Sequence, residues 1–242
     1  MFLSWLATTS CGVLLLTGGH SILQAGSYTV QPVRVELSAR QLRTTIQIQN
    51  LGDQPTTIQA HVVAWSANGA EEVLSDNDEI LLNPPIFTVA AGRRQYLRLG
   101  LRKPRPDAAE STFRLILEEV PPPPKPGFNG ITTLLKISIP IFFKPRVPAP
   151  QLAWSVQRNS GEEILLSVKN SGNAHVQIRG LSVRTGGAAE AGFAHATVSY
   201  VLRNGRKEWV IHNRELAGAD RLLLQAQTDN GDVREDLVPQ KP

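Results

Sequence analysis

Cysteine is almost absent from this 242-residue sequence, in which Cys11 is the only one. It lies within residues 1–25, which carry no Asp, Glu, Lys or Arg and hold the apolar run "GVLLLTGG" ahead of "ILQAGS", where Ala25 suits a secretory cleavage site. Residues 1–25 are therefore expected to be a signal peptide, even though the usual basic residue ahead of the apolar run is missing. The exported chain then has no thiol, which excludes disulfide staples, cysteine nucleophiles and cysteine zinc sites. No later run of about 18 apolar residues occurs, so no membrane insertion is expected.

Signs of catalysis are equally scarce. The five histidines, His20, His61, His175, His195 and His212, stand alone, without HExxH or any other ligand spacing. There is no GxSxG elbow, phosphate loop or GxGxxG. Glu71-Glu72, Glu118-Glu119 and Glu162-Glu163 are adjacent carboxylates, but neighbours on a strand point to opposite faces and cannot act as a unit. The net charge of +4 is spread out, with no basic cluster interleaved with aromatics, which argues against nucleic acid. Four tryptophans, one of them Trp5 in the leader, are few for a polysaccharide-binding module. The expectation is a binding protein and not an enzyme, with no cofactor and no metal.

What the sequence does have is period two. "TVQPVRVEL" places Val33, Val35 and Leu37 on one face, and "LRTTIQIQN" does the same with Leu42, Thr44, Ile46 and Ile48. "TTIQAHVVAW" sets Ile58, Ala60 and Val62 against Gln59 and His61, and "RRQYLRLGL" and "STFRLILEEV" are two further strands. Asn68-Gly69, Asn204-Gly205 and Asn230-Gly231 signal hairpin turns. About seven strands pass by residue 145, enough for one immunoglobulin-like sandwich. "KPRVPAP" reads as a stiff linker, after which short strands resume in "LAWSVQR", "EEILLSVKNSGN", "AHVQIRGLSVR" and "RLLLQAQTDNGD". The expected fold is all-β, with two immunoglobulin-like β-sandwich domains at residues 26–145 and 146–242.

One strand stands apart. In "ITTLLKISIPIFFKP" the odd positions Ile131, Leu135, Ile137, Ile139 and Ile141 are aliphatic, while Thr132, Lys136, Ser138 and Pro140 alternate with them. A proline cannot donate to a ladder, which assigns this strand to a sheet edge. Long apolar edges are normally blunted, because they invite pairing with other chains.

"LLNPPIFTVAAGRRQYLRL", "ESTFRLILEEVPP" and "ISIPIFFKP" together resemble the periplasmic pilus chaperones of the PapD-like family, in a divergent branch. The resemblance covers the whole mature chain. "VRVELSARQLRTTIQIQN" is similar to the family's first two strands, and "KNSGNAHVQI" to the start of its second domain, which matches less sharply. It implies two immunoglobulin-like domains set at an angle, in a periplasmic protein that holds pilus subunits until an outer-membrane usher takes them. It further implies that the edge strand is lent to a subunit that lacks its own final strand. Ile131, Leu135, Ile137 and Ile139 would then plug the subunit's groove, and the open edge would also permit self-association of the free protein.

Arg34 matches the family's first-strand arginine, which grips the subunit's C-terminal carboxylate with its planar fork. The family's second cleft cation, a lysine, falls on Pro140; Lys136, Arg94 and Lys144 are, in that order, the candidates to replace it. Arg98, Glu110 and Asp229 match three positions of an ionic cluster at the family's domain junction. The competing expectation is a secreted two-domain immunoglobulin-like adhesin or binding module, which would present an exposed loop instead of a strand.

Overall fold

A computed structural model describes residues 28–103, 108–123, 131–186, 192–196 and 198–240; the leader expected at 1–25 lies outside them. The first ten strands are β1 (Tyr28–Gln31), β2 (Val35–Leu37), β3 (Arg43–Asn50), β4 (Thr56–Asn68), β5 (Glu71–Asp76), β6 (Ile80–Asn83), β7 (Ile86–Val89), β8 (Arg94–Leu101), β9 (Ser111–Glu119) and β10 (Lys136–Phe143). They form two sheets, one ordered β1-β3-β8-β6 and one ordered β2-β10-β9-β4-β5, with β7 pairing to β4. Ile46, Ile48, Leu97 and Leu99 of the first sheet meet Phe113, Leu115, Leu117, Ile141 and Phe143 of the second in one buried core. Alternation produces this: each strand turns every second residue inward.

Eight strands follow: β11 (Leu152–Ser160), β12 (Glu163–Asn170), β13 (Val176–Thr185), β14 (Gly192–His195), β15 (Ser199–Val201), β16 (Arg206–His212), β17 (Leu222–Thr228) and β18 (Gly231–Leu237). Sheet β11-β12-β16 faces sheet β14-β13-β17-β18, with β15 pairing to β13. A second core of Val156, Ile164, Leu166, Val168, Ile178, Val183, Leu222 and Leu224 fills the space between them. The short helix α1 (Arg214–Gly218) closes one end, capped by the Asn213 side chain, which accepts from the N–H groups of Glu215 and Leu216. A third, smaller cluster of Trp65, Phe142 and Leu202 lies between the two sandwiches.

Both halves repeat one local device. Asn50 and Asn170 are buried at the ends of β3 and β12, and each accepts from the N–H two residues on, Gly52 at 2.8 Å and Gly172 at 3.0 Å. Their amide groups donate to Gln54 and Val89 carbonyls in the first case and to Ala174 and Val201 carbonyls in the second. Buried backbone acceptors need such partners. Gly172 also admits a close approach: a Cβ there would sit 2.2 Å from the Ala149 carbonyl oxygen, at the start of the second sandwich.

The sequence pattern fails at one place. Val33 was expected inward with Val35 and Leu37, yet it is 74% exposed. The chain breaks after β1 at Pro32 and crosses from one sheet to the other, so β1 pairs with β3 whereas β2 pairs with β10. Arg34 therefore stands at a corner of the first sandwich.

Candidate functional site

β10 pairs antiparallel with β9 along its whole length, from Lys136 opposite Glu118 to Phe143 opposite Ser111. On its other side β2 pairs with it in parallel, but only from Ile141 opposite Val35 to Phe143 opposite Leu37. Over Lys136–Pro140 no described strand covers that side. Pro140, which has no N–H, sits where the second pairing stops. The edge expected from the sequence is thus present, five residues long.

It is shorter than expected, and its face is different. Residues 131–135 are not in a strand; Leu135 instead donates its N–H to the Glu119 carboxylate at 2.9 Å and accepts from the Glu119 N–H at 3.0 Å. Ile139 was expected to face outward as a plug, and is 2% exposed in the first core. It lies opposite Leu115, and Ile137 opposite Leu117, so the odd face of β10 closes this chain's own sandwich. Leu135 and Ile137 are half-buried against the same core, while Ile131 is 82% exposed. The even face turns the other way: Phe142 joins Trp65 and Leu202 between the sandwiches.

The junction is built around Phe142. The His175 ring stacks on it with centroids 3.6 Å apart and planes 13° from parallel. Tyr200 meets Trp65 edge-on at 5.6 Å, and the Arg34 guanidinium lies 5.0 Å from the centre of the Phe142 ring. Arg34 then spans the gap. Its Nη1 donates to Asp229 at 3.2 Å and Gln177 at 3.4 Å, and its Nη2 to His175 Nε2 at 3.1 Å and Glu36 at 3.0 Å. A guanidinium has only donors, so Nε2 of His175 must accept. Nδ1 then carries the proton and donates to the buried Glu110 carboxylate at 2.8 Å. Glu110 also accepts from the His175 backbone N–H at 2.7 Å, and Asp229 from that of Gln177 at 2.8 Å.

Two of the three residues expected in an ionic cluster meet here. Glu110 and Asp229 flank His175, with Asp229 Oδ2 3.9 Å from Nε2. Arg98 is not with them. It alternates on β8 with the core residues Leu97 and Leu99, so period two points it to the outer face of the first sheet, opposite Thr45 and Asn83. Arg34 holds the cationic position instead. Of the candidates for a second cleft cation, Lys136 is bound to Glu118 at 2.5 Å at the far end of the edge, and Arg94 donates to Gln49. Lys144 alone reaches the cleft, 2.6 Å from Glu36.

A second clamp joins the sandwiches along the β4–β5 hairpin. Glu72 accepts from Lys207 of β16 at 2.8 Å, from Arg114 at 3.2 Å and from the Trp65 indole at 3.1 Å, and the Arg206 N–H donates to the Gly69 carbonyl at 2.8 Å. Burial raises the Glu72 carboxyl, but the Lys207 hydrogen bond and charge, the Arg114 charge and the Trp65 hydrogen bond outweigh it and hold the group below its ordinary range. A folded-state value below the unfolded one means that the stabilisation is complete above pH about 4.5 and is lost as pH falls through the folded value. Small-angle scattering between pH 6 and 3 is expected to show the two sandwiches loosening below pH about 4.5. A scattering profile constant to pH 3 would contradict this.

An unpaired strand edge that ends at a charged cleft between two sandwiches is a specific arrangement. The sequence profile of the pili and flagellar-assembly chaperones, PapD N-terminal domain, matches residues 27–148, which include the edge, Arg34 and Glu110. The chain belongs to this family. The fold of this PapD-like chaperone is similar to a chain of the complex of CsuC with the tip adhesion subunit CsuE, from the archaic chaperone-usher Csu pili of Acinetobacter baumannii. That match has 23% identity, 89% of this chain and 99% of the other covered, and a TM-score of 0.65. It is also similar to a chain of the Salmonella enterica SafA pilin–SafB chaperone complex, at 21% identity, 89% and 97% coverage and a TM-score of 0.59. The YadV chaperone matches at 18% identity, 86% and 98% coverage and a TM-score of 0.60. No curated protein sequence matches the chain.

Three members of the PapD-like cleft were missed in the sequence or ranked last: His175, Glu36 and Lys144. His175 carries no ligand spacing, and its partner Glu110 is 65 residues away. Only the position of Glu36 two residues from Arg34 on a short strand was a usable signal.

Proposed function

We propose that this chaperone captures pilus subunits in the periplasm by pairing an incomplete subunit sheet with the open edge of β10, and passes them to an outer-membrane usher. The observation that carries the reading is the uncovered edge over Lys136–Pro140. Backbone hydrogen bonds along it would supply affinity, and side chains beside it, Ile131, Leu135 and Ile137, would supply specificity. Arg34 anchors the subunit's C-terminal carboxylate, residues 26–145 carry the edge, and residues 146–242 supply the opposite wall of the cleft. The CsuC–CsuE and SafA–SafB structures, by their descriptions, pair a chaperone with a subunit.

Co-expression of the chain with a pilus subunit tests it. The subunit is expected to purify as an equimolar complex with the chaperone and to precipitate without it. A subunit that remains soluble and monomeric in the chaperone's absence, or that precipitates in its presence, contradicts the proposal.

A further inference from the structure

Ser138 is the middle residue of the uncovered stretch Lys136–Pro140. Farther along the chain, the Lys144 N–H donates to the Leu37 carbonyl, toward β2. Alternation puts the backbone groups of Ser138 on that same side, where an incoming strand would find one donor and one acceptor. Its side chain stands on the outer face of the sheet, because the neighbouring Ile139 fills the core.

On that face the Ser138 hydroxyl meets Arg114 of β9, whose Nη1 donates to it at 3.4 Å. The other arm of the same guanidinium, Nη2, donates to Glu72 of β5 at 3.2 Å, and its central carbon lies 3.7 Å from the centre of the Trp65 ring. Glu72 in turn holds Lys207 of the second sandwich at 2.8 Å. Since β10, β9, β4 and β5 are successive neighbours in one sheet, this line of contacts runs from the open edge across the sheet and on to the facing sandwich. It shares no residue with the contacts of Arg34.

Arginine suits the middle of this line. Its fork carries separate donors for two directions, and the aromatic face beneath it fixes its plane. In the free chain the bond to Ser138 is long and exposed to water. A strand laid along β10 would hold Ser138 in place and exclude water from that bond, which strengthens it. We infer that Arg114 is a positioning residue that couples the open edge to the seam between the sandwiches: a strand paired at Ser138 fixes the guanidinium, the guanidinium fixes Glu72, and Glu72 draws in Lys207. This rests on the reading of the β10 edge as the subunit's partner. Coupling of binding events is reciprocal, so loosening the contact of Glu72 with Lys207 weakens capture by the factor by which capture tightens that contact.

The test is a double-mutant cycle on two residues that do not touch, Ser138 and Lys207. The pilus subunit purified from the co-expressed complex is labelled with a fluorophore, unfolded in denaturant and diluted into each variant of the full chain, and its uptake is followed by anisotropy. Thermal denaturation confirms that each variant is folded. Lys207→Met is expected to weaken capture about five-fold, the low end for such a coupling. Ser138→Ala keeps the backbone that pairs with the subunit but cuts the line at its near end, so in that background Lys207→Met should change the affinity by less than about two-fold. Glu72→Gln, a second cut in the seam, should give the same pattern. Equal weakening by Lys207→Met in both backgrounds, or none in the wild-type background, overturns the inference while the capture reading stands. If the wild type takes up no subunit, the capture reading falls and the inference with it.

Discussion

Replacing Arg34 by alanine is expected to abolish subunit capture and to loosen the contact between the two sandwiches. Among the described residues its guanidinium is the only cation that touches Asp229 and His175 together, and it links them to Glu36 and the first sandwich. Removal leaves the largely buried Asp229 carboxylate without its counter-ion, and stranding one member of a buried pair costs about 3 kcal/mol. Lysine at the same position keeps the charge but loses the planar fork, so Arg34→Lys should recover stability without recovering capture. Calorimetry paired with subunit pull-down separates the two effects. Wild-type capture by Arg34→Ala would remove this residue from the site.

The second large effect separates two positions on one apolar pattern. Ile139→Lys is expected to unfold the first sandwich or destabilise it by more than about 4 kcal/mol, because a charge would be forced among Leu115, Ile141 and Phe143. Ile131→Lys should change stability by less than about 0.5 kcal/mol, since the side chain is solvent-exposed, yet should weaken subunit capture. Chemical denaturation of both variants decides the matter. A stable Ile139→Lys variant that merely fails to bind would mean that the odd face of β10 is turned outward.

These two positions also show where a sequence stops being informative. Alternation in β3 identifies Ile46 and Ile48 as core because their neighbours Thr45, Gln47 and Gln49 are polar, and the turns at Asn68-Gly69 and Asn230-Gly231 fall between paired strands. For β10 the same alternation is ambiguous. At an open edge the apolar face can close its own sandwich or serve another, and only the register of Ile139 against Leu115 resolves it.

"TVQPVRVEL" misled for a related reason. A proline that hands the chain from one sheet to the other leaves the spacing of valines intact while turning Val33 into solvent. In the cleft, Glu110, Asp229 and Arg34 could be carried over residue by residue from the family resemblance. His175 could not, because its place is fixed by the packing of Phe142 between domains, nor could Lys144, because its partner Glu36 is set by the parallel pairing of β2 with β10. Arg98 matches a position of the family's cluster, yet its own strand, with Leu97 and Leu99 on the inner face, points it away.

Capture of the subunit at the open edge of β10 is tested most directly by amide hydrogen exchange across Lys136–Ile139. In the free chaperone the amides that point away from β9 should exchange rapidly, while those bonded to β9 are protected, as expected for a ladder formed on one side only. In the subunit complex both sets are expected to be protected, by about a hundred-fold or more for the outward amides, since ladder amides exchange only when the pairing opens. Outward amides that exchange as fast in the complex as in the free protein would contradict strand addition at this edge.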